Sequence, residues 1–96
     1  MFVVLLRFGE NKSKAPEFMG AHKEWIGRGF DDGVFLVIGS LQPAMGGAIV
    51  AHNTSREDLV ARVGEDPFVV EGVAVPDIFE IDPARADERL EFLLRD

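Results

Sequence analysis

A chain of 96 residues with 47% hydrophobic and 28% charged positions holds enough apolar material for one packed core and too little for a second, since domains commonly run to about 100–150 residues. Residues 1–96 therefore read as one domain. Seventeen acidic against ten basic side chains, a net charge of −7, argue against nucleic acid and anionic membrane as partners. The absence of cysteine removes disulfides, thiolate nucleophiles and cysteine-based metal sites.

The apolar run Phe2-Val3-Val4-Leu5-Leu6 has no basic segment ahead of it and meets Arg7 at once. That is too short for a signal peptide or a membrane span, so a soluble, cytoplasmic protein is expected. Met1 to Phe8 reads as a buried strand closed by the polar stretch Gly9-Glu10-Asn11-Lys12. Ser13 is placed to cap a helix with Pro16 in its first turn. Phe18, Met19, His22, Trp25, Ile26 and Phe30 then follow at helical spacing until Asp31-Asp32-Gly33. Val34 to Ser40 is short and β-branched, Gln42 to Gly47 turns, and Ala48 to His52 returns as the second arm of a hairpin.

Thr54-Ser55-Arg56-Glu57 has capping-box spacing ahead of a short helix whose buried stripe is Leu59, Val60 and Val63 and which ends near Gly64. Asp66 precedes Pro67 and is thereby pushed out of helical geometry. Gly72 to Ile81 reads as a fourth strand, and Pro76 inside it indicates a sheet edge. Asp82-Pro83 looks like a cap and first turn for a C-terminal helix with Ala86, Leu90, Leu93 and Leu94 on one stripe.

This order is βαββαβ plus a terminal helix, an α+β, ferredoxin-like pattern with helices on one face of a four-stranded antiparallel sheet. Yet both strand faces are apolar. Phe2, Val4, Leu6 and Phe8 oppose Val3 and Leu5, and Leu36 and Ile38 oppose Phe35 and Val37. Either the C-terminal helix folds over the second face or the same face of another copy covers it, giving a homodimer through the open sheet face.

On helix one, His22 sits in the middle of an apolar arc of roughly 140°. A histidine there is either a neutral, hydrogen-bonded core residue or a proton carrier held by a carboxylate. Asp66 is the candidate partner, because it lies just ahead of strand four, which this topology sets beside strand one near the start of helix one. Asp before Pro is also an ordinary turn or cap arrangement. Ser40, Gly46 and Gly47 flank the hairpin connection, where small residues let a ligand approach the backbone. No phosphate-binding glycine motif is present. His52 has neither a third histidine nor a close carboxylate pair to join it with His22 at a metal, so no metal or other cofactor is expected. Arg7 interrupts an apolar strand and either meets an anion or an acidic side chain or, as is more usual for a strand-end charge, reaches solvent.

The segments His22-Lys23-Glu24-Trp25-Ile26, Gly33 to Ser40, Gly46 to Ala51 and Asp66-Pro67-Phe68-Val69 fall in an order that resembles the YciI-like (YCII-related) proteins over nearly the whole chain. The resemblance implies a dimeric α/β barrel and a cleft in which His22 and Asp66 form a His–Asp site. Some relatives carry an arginine three residues before the helix histidine, where this chain has Met19, which favours a less charged ligand. Similar dimeric barrels eliminate chloride from a chlorinated hydroxyquinol or isomerise muconolactone. The expected function is therefore cofactor-free acid/base chemistry of lyase or isomerase type. It would act on a small aromatic-ring or lactone substrate, with Phe18, Trp25 and Phe68 lining the cleft and Ser40 or a hairpin amide polarising an oxygen. The alternative is a dimer that binds a metabolite, or another protein, without turnover.

Overall fold

A computed structural model describes residues 1–95, leaving Asp96, the end of the expected domain, outside the described residues. Four strands form one antiparallel sheet in the order β2-β3-β1-β4: β1 (Phe2–Phe8), β2 (Phe35–Leu41), β3 (Gly46–Ala51) and β4 (Ala74–Glu80). β4 pairs only with β1, so Pro76 sits on an edge strand, where its missing N–H breaks no ladder. The sequence-predicted ferredoxin-like α+β architecture is what the chain adopts.

Helices α1 (Ala15–Asp31), α2 (Arg56–Gly64) and the short α3 (Pro67–Val70) pack on one face. Their buried residues Trp25, Leu59, Val63 and Phe68 meet Phe2, Val4 and Leu6 of β1, Phe35 of β2, Ile49 and Ala51 of β3, and Ala74 of β4. Leu36 sits at a register shift between Phe35 and Val37. This bulge reverses the expected facing: Phe35 is buried in the core and Ile38, paired with Ile49, packs against it from the same side, while Val37 points outward.

Local starts differ from the simplest sequence reading for identifiable reasons. Lys12–Lys14 forms a 3₁₀ turn that runs straight into α1, so Ser13 lies inside helical geometry and Lys14 takes the cap position with no side-chain bond. At α2 the cap is Ser55, which is extended and accepts from the Asp58 amide at 3.1 Å. The Thr54 hydroxyl instead donates to the Ser55 carbonyl, so the expected Thr54 box does not form. The C-terminal helix starts later than Asp82-Pro83 suggests. It is a 3₁₀ helix, Glu88–Leu94, capped by Asp87, with Leu93 buried but Leu90 and Leu94 exposed. A three-residue repeat does not align a stripe spaced for 3.6. The Asp87 carboxyl is held below its ordinary value by the Arg89 amide and then by the Arg89 side chain.

The far face of the sheet is covered only in part, with Val3, Leu5, Ala48 and Val50 half-buried. A row of Val37, Val50, Val3 and Phe79 crosses all four strands on that face, with Val37 58% and Phe79 52% exposed. Arg7 on the same face pairs with Asp77, the acidic partner that was one of the two expectations, while its side chain stays exposed.

α1 approaches β2 where Gly29 lies against Phe35, and a Cβ at that position would stand 2.1 Å from the Phe35 ring. Alanine would gain helix propensity of about 1 kcal/mol but force the two elements apart. Gly29→Ala is therefore expected to lower stability by a net of about 1–3 kcal/mol, measured by urea denaturation, and a stabilised variant would contradict this packing.

Candidate active site

The exit of β1 and the approach to β4 are tied together by backbone bonds. The Gly9 amide donates to Val73 O at 2.8 Å and the Asn11 amide to Gly72 O at 3.0 Å, while the Asn11 side chain donates to Glu71 O at 2.8 Å. The segment leading from α2 into β4 thus lies beside the first turns of α1. Within it, Asp66 is the N-cap of α3 and accepts from the Phe68 amide at 3.0 Å through Oδ1. The same oxygen accepts from His22 Nδ1 at 2.7 Å.

His22 is 8% exposed and Asp66 fully buried, so water does little to screen this contact. With Nδ1 donating to the carboxylate, the imidazole's remaining nitrogen, Nε2, is free to take or give a proton. Asp66 Oδ2 is buried and has no hydrogen-bond partner among the described residues, which concentrates the whole interaction on Oδ1.

His22 forms part of the wall of a cavity of about 280 Å³ whose other walls are Leu6, Phe8, Ala15, Met19, Ile38, Gly39, Ser40, Gly46, Gly47, Phe68 and Ala74. The cavity exists because the helix-facing row at the hairpin end of the sheet carries Ser40 and Gly47 beside Leu6. Two small residues there leave α1 standing off the strands. A Cβ at Gly47 would meet only ordinary contact, 3.5 Å from Gly39 O, whereas one at Gly46 would come 2.0 Å from Leu6 O on a backbone with φ +123°. Gly46 is therefore required by the close approach of the strands, whereas a side chain at Gly47 would project into open space.

The structure brings His22, Asp66, Ser40, Gly46, Gly47 and Phe68 to one end of the molecule, and the two other aromatic residues expected there turn to the core instead of the cavity. Trp25 is 2% exposed; its indole N–H donates to Arg62 O at 3.0 Å and its ring meets Phe35 edge-on at 5.2 Å. Phe18 is half-buried against the core. Neither is a lining residue of the cavity. A three-residue step from His22 back to Met19 and the strand alternation from Leu6 to Phe8 were the available signals for walls the spacing alone did not single out.

A larger notch of about 580 Å³ separates α1 from α2, bordered by Arg28, Asp32, Asp58, Arg62 and Glu65 among others. Arg62 and Asp32 form an ion pair across it at 2.8 Å. Its charges are mixed and no histidine lines it, so the smaller apolar cavity with His22 in its wall is the candidate site. Among the described residues no group of three or more His, Cys, Asp or Glu is placed to hold a metal, and no helix is long and apolar enough to cross a membrane.

Fold and site together define a small α+β protein with a buried His–Asp pair at the wall of a largely apolar cavity. Among solved structures, the chain is similar to 5-chloro-2-hydroxyhydroquinone dehydrochlorinase (TftG) from Burkholderia phenoliruptrix AC1100, in complex with 2,5-dihydroxybenzoquinone. The TM-score is 0.68 at 15% identity, covering 84% of this chain and 93% of the other. The two proteins share a fold. No family model and no curated protein matches the sequence.

Removing the acceptor at position 66 leaves two buried donors unpaired, the Phe68 amide and the His22 Nδ1–H. Asp66→Ala is expected to cost about 2–5 kcal/mol in urea denaturation, and Asp66→Asn, which keeps an acceptor oxygen, less than half of that. Equal losses would mean that the hydrogen bonds at Oδ1 contribute little.

Proposed function

We propose that this protein is a YciI-like, cofactor-free enzyme of the cytoplasm in which His22, held by Asp66, moves a proton on a small oxygenated ring bound in the apolar cavity. The observation that carries this reading is the 2.7 Å contact of His22 Nδ1 with the fully buried Asp66 carboxylate at the cavity wall. A carboxylate behind an imidazole fixes its orientation and offsets the charge it acquires on taking a proton.

Only His22 and Ser40 bring polar side chains to the cavity, and none of its walls is a lysine, arginine or carboxylate. A charged ligand would lose its hydration there without a partner, at a cost of several kcal/mol. A neutral phenol, quinone or lactone ring suits the volume and the lining. In the proposed step Nε2 removes a proton from carbon or hydroxyl. The electron pair left behind either expels an anionic leaving group, as in a lyase, or shifts through the ring until His22 returns the proton at another atom, as in an isomerase. Ser40 or a hairpin amide would meet the ring oxygen on which charge builds up. The similar structure is a dehydrochlorinase, which supports the lyase form by analogy of fold.

The second reading, binding without turnover, is favoured by one fact: the cavity holds a single proton carrier. Chlorinated hydroxyquinols, hydroquinones and unsaturated γ-lactones separate the two. The enzyme reading expects turnover that falls by about 100-fold or more in His22→Gln with folding intact. Unchanged turnover in that variant would sink it. Wild-type thermal shifts without turnover, persisting in His22→Gln, would establish the binding reading. Gly47→Val places a branched side chain in the cavity at a strand position that accepts one; the same ring compounds should bind at least about tenfold more weakly with the melting temperature kept or raised. Undiminished affinity would put the ligand elsewhere.

The open sheet face is proposed to meet the same face of a second copy. Its apolar row from Val37 to Phe79 and the Arg7–Asp77 pair beside it suit a two-fold contact. Sedimentation should show a wild-type dimer and a Phe79→Asp monomer; a monomeric wild type would remove this part of the reading.

A further inference from the structure

The second residue after Asp66 is placed in a way that its apolar character does not require. The Phe68 ring lies flat on the His22 imidazole, with centroids 3.9 Å apart and planes within 4°. Aromatic pairs left to themselves favour offset or edge-on contacts at about 4.5–7 Å, so backbone geometry must impose this one. Phe68 donates its amide to the very carboxylate oxygen that holds His22 Nδ1. Asp66, Pro67 and Phe68 thus bring an acceptor to the edge of the imidazole and a flat wall to its face from a single turn of chain.

One hydrogen bond fixes a point on an imidazole but not its plane, because the last torsion of a histidine side chain is broad and roughly two-fold. The ring could pivot about the Nδ1 contact and carry Nε2 away from the cavity. We propose that Phe68 is a positioning residue. It clamps the plane of the His22 ring so that Nε2 is presented to the cavity, and it places a π face against the charge the ring acquires on taking a proton. Trp25, one turn along α1 with its ring 5.9 Å away and inclined by 22°, packs in the same stack. The ligand therefore meets the imidazole at its edge and does not stack on it. The inference rests on the reading of His22 as the proton carrier for its purpose, though not for its test.

The test uses the folded protein with ¹³C,¹⁵N-labelled histidine, in which His52 is the only other imidazole. In the wild type the His22 ring should be as rigid as the backbone, with an order parameter of about 0.85, and its Nδ1 proton should exchange slowly with water. Phe68→Leu, which keeps apolar bulk but has no flat face, should lower the order parameter below about 0.6 and speed Nδ1–H exchange at least about tenfold, while Phe68→Trp restores both. A purely structural role would move the melting temperature of these variants without separating Leu from Trp in the ring signals. A mobile wild-type ring overturns the proposal whether or not the variants fold. So does unchanged ring order in Phe68→Leu, or a failure of Phe68→Trp to restore it. A rigid, Phe68-dependent ring in a protein with no turnover would keep the clamp and remove the catalytic reading.

Discussion

A fully buried carboxylate is the constraint around which this site is organised. Leaving Asp66 unpaired in the core would cost several kcal/mol, and its surroundings answer with two donors on one oxygen, the Phe68 amide and His22 Nδ1. The first comes from the start of α3 and the second from α1, so the carboxylate joins two elements that are far apart in the chain. Its burial also depends on the ties between the exit of β1 and the approach to β4. Cap, tertiary link and orientation of the imidazole are one arrangement rather than three.

The sheet has two faces with different tasks, and the register shows how each is met. On the helix side the row Ile38, Ile49, Val4 and Ile78 is large and fills the core, whereas the next row, Ser40, Gly47, Leu6 and Pro76, starts with two small residues and opens the cavity. A helix laid over rows of unequal height must stand clear of the lower one. On the far side Val37, Val50, Val3 and Phe79 form an apolar band whose two ends, Val37 and Phe79, are exposed and whose middle is half-buried. Filling the core and opening a pocket are both achieved within the same pair of strands.

Much of this was legible in the sequence, for physical reasons that can be named. Alternation along β1 fixed which of its residues face the helices, Pro76 marked the edge strand, and the helical arc around His22 placed its side chain inward. The neighbourhood of Asp66 followed from topology, since antiparallel pairing of β4 with β1 must return the chain to the start of α1. What the sequence concealed was finer. A bulge at Leu36 inverts facing by adding one residue, and no composition signal announces it. The four residues of α3 are too few to show periodicity, so Asp66-Pro67 reads equally well as a turn. Ser55 and Thr54 are both competent caps, and the chain enters the helix at Ser55, which is extended and accepts from the Asp58 amide. Trp25 and Phe18 share the apolar arc with His22, but spacing cannot say which arc residues meet a cavity and which meet the core.

Charge gives the last step. The chain carries a net −7, and no lysine or arginine among the described residues lines the cavity: Arg62 is paired with Asp32 and Arg7 with Asp77, while Lys12 stands over Phe8, a wall residue, with its nitrogen 4.5 Å from the ring centroid. An acidic surface repels anions at a distance, and walls without a fixed cation give them nothing to pair with on arrival. The imidazole is the one group there able to become positive, and Asp66 already faces it. In the proposed function, preference for an uncharged ring and the use of histidine as the proton carrier would follow from the same placement. Any cation added to the wall to hold an anionic ligand would also oppose the charge that His22 acquires on taking a proton.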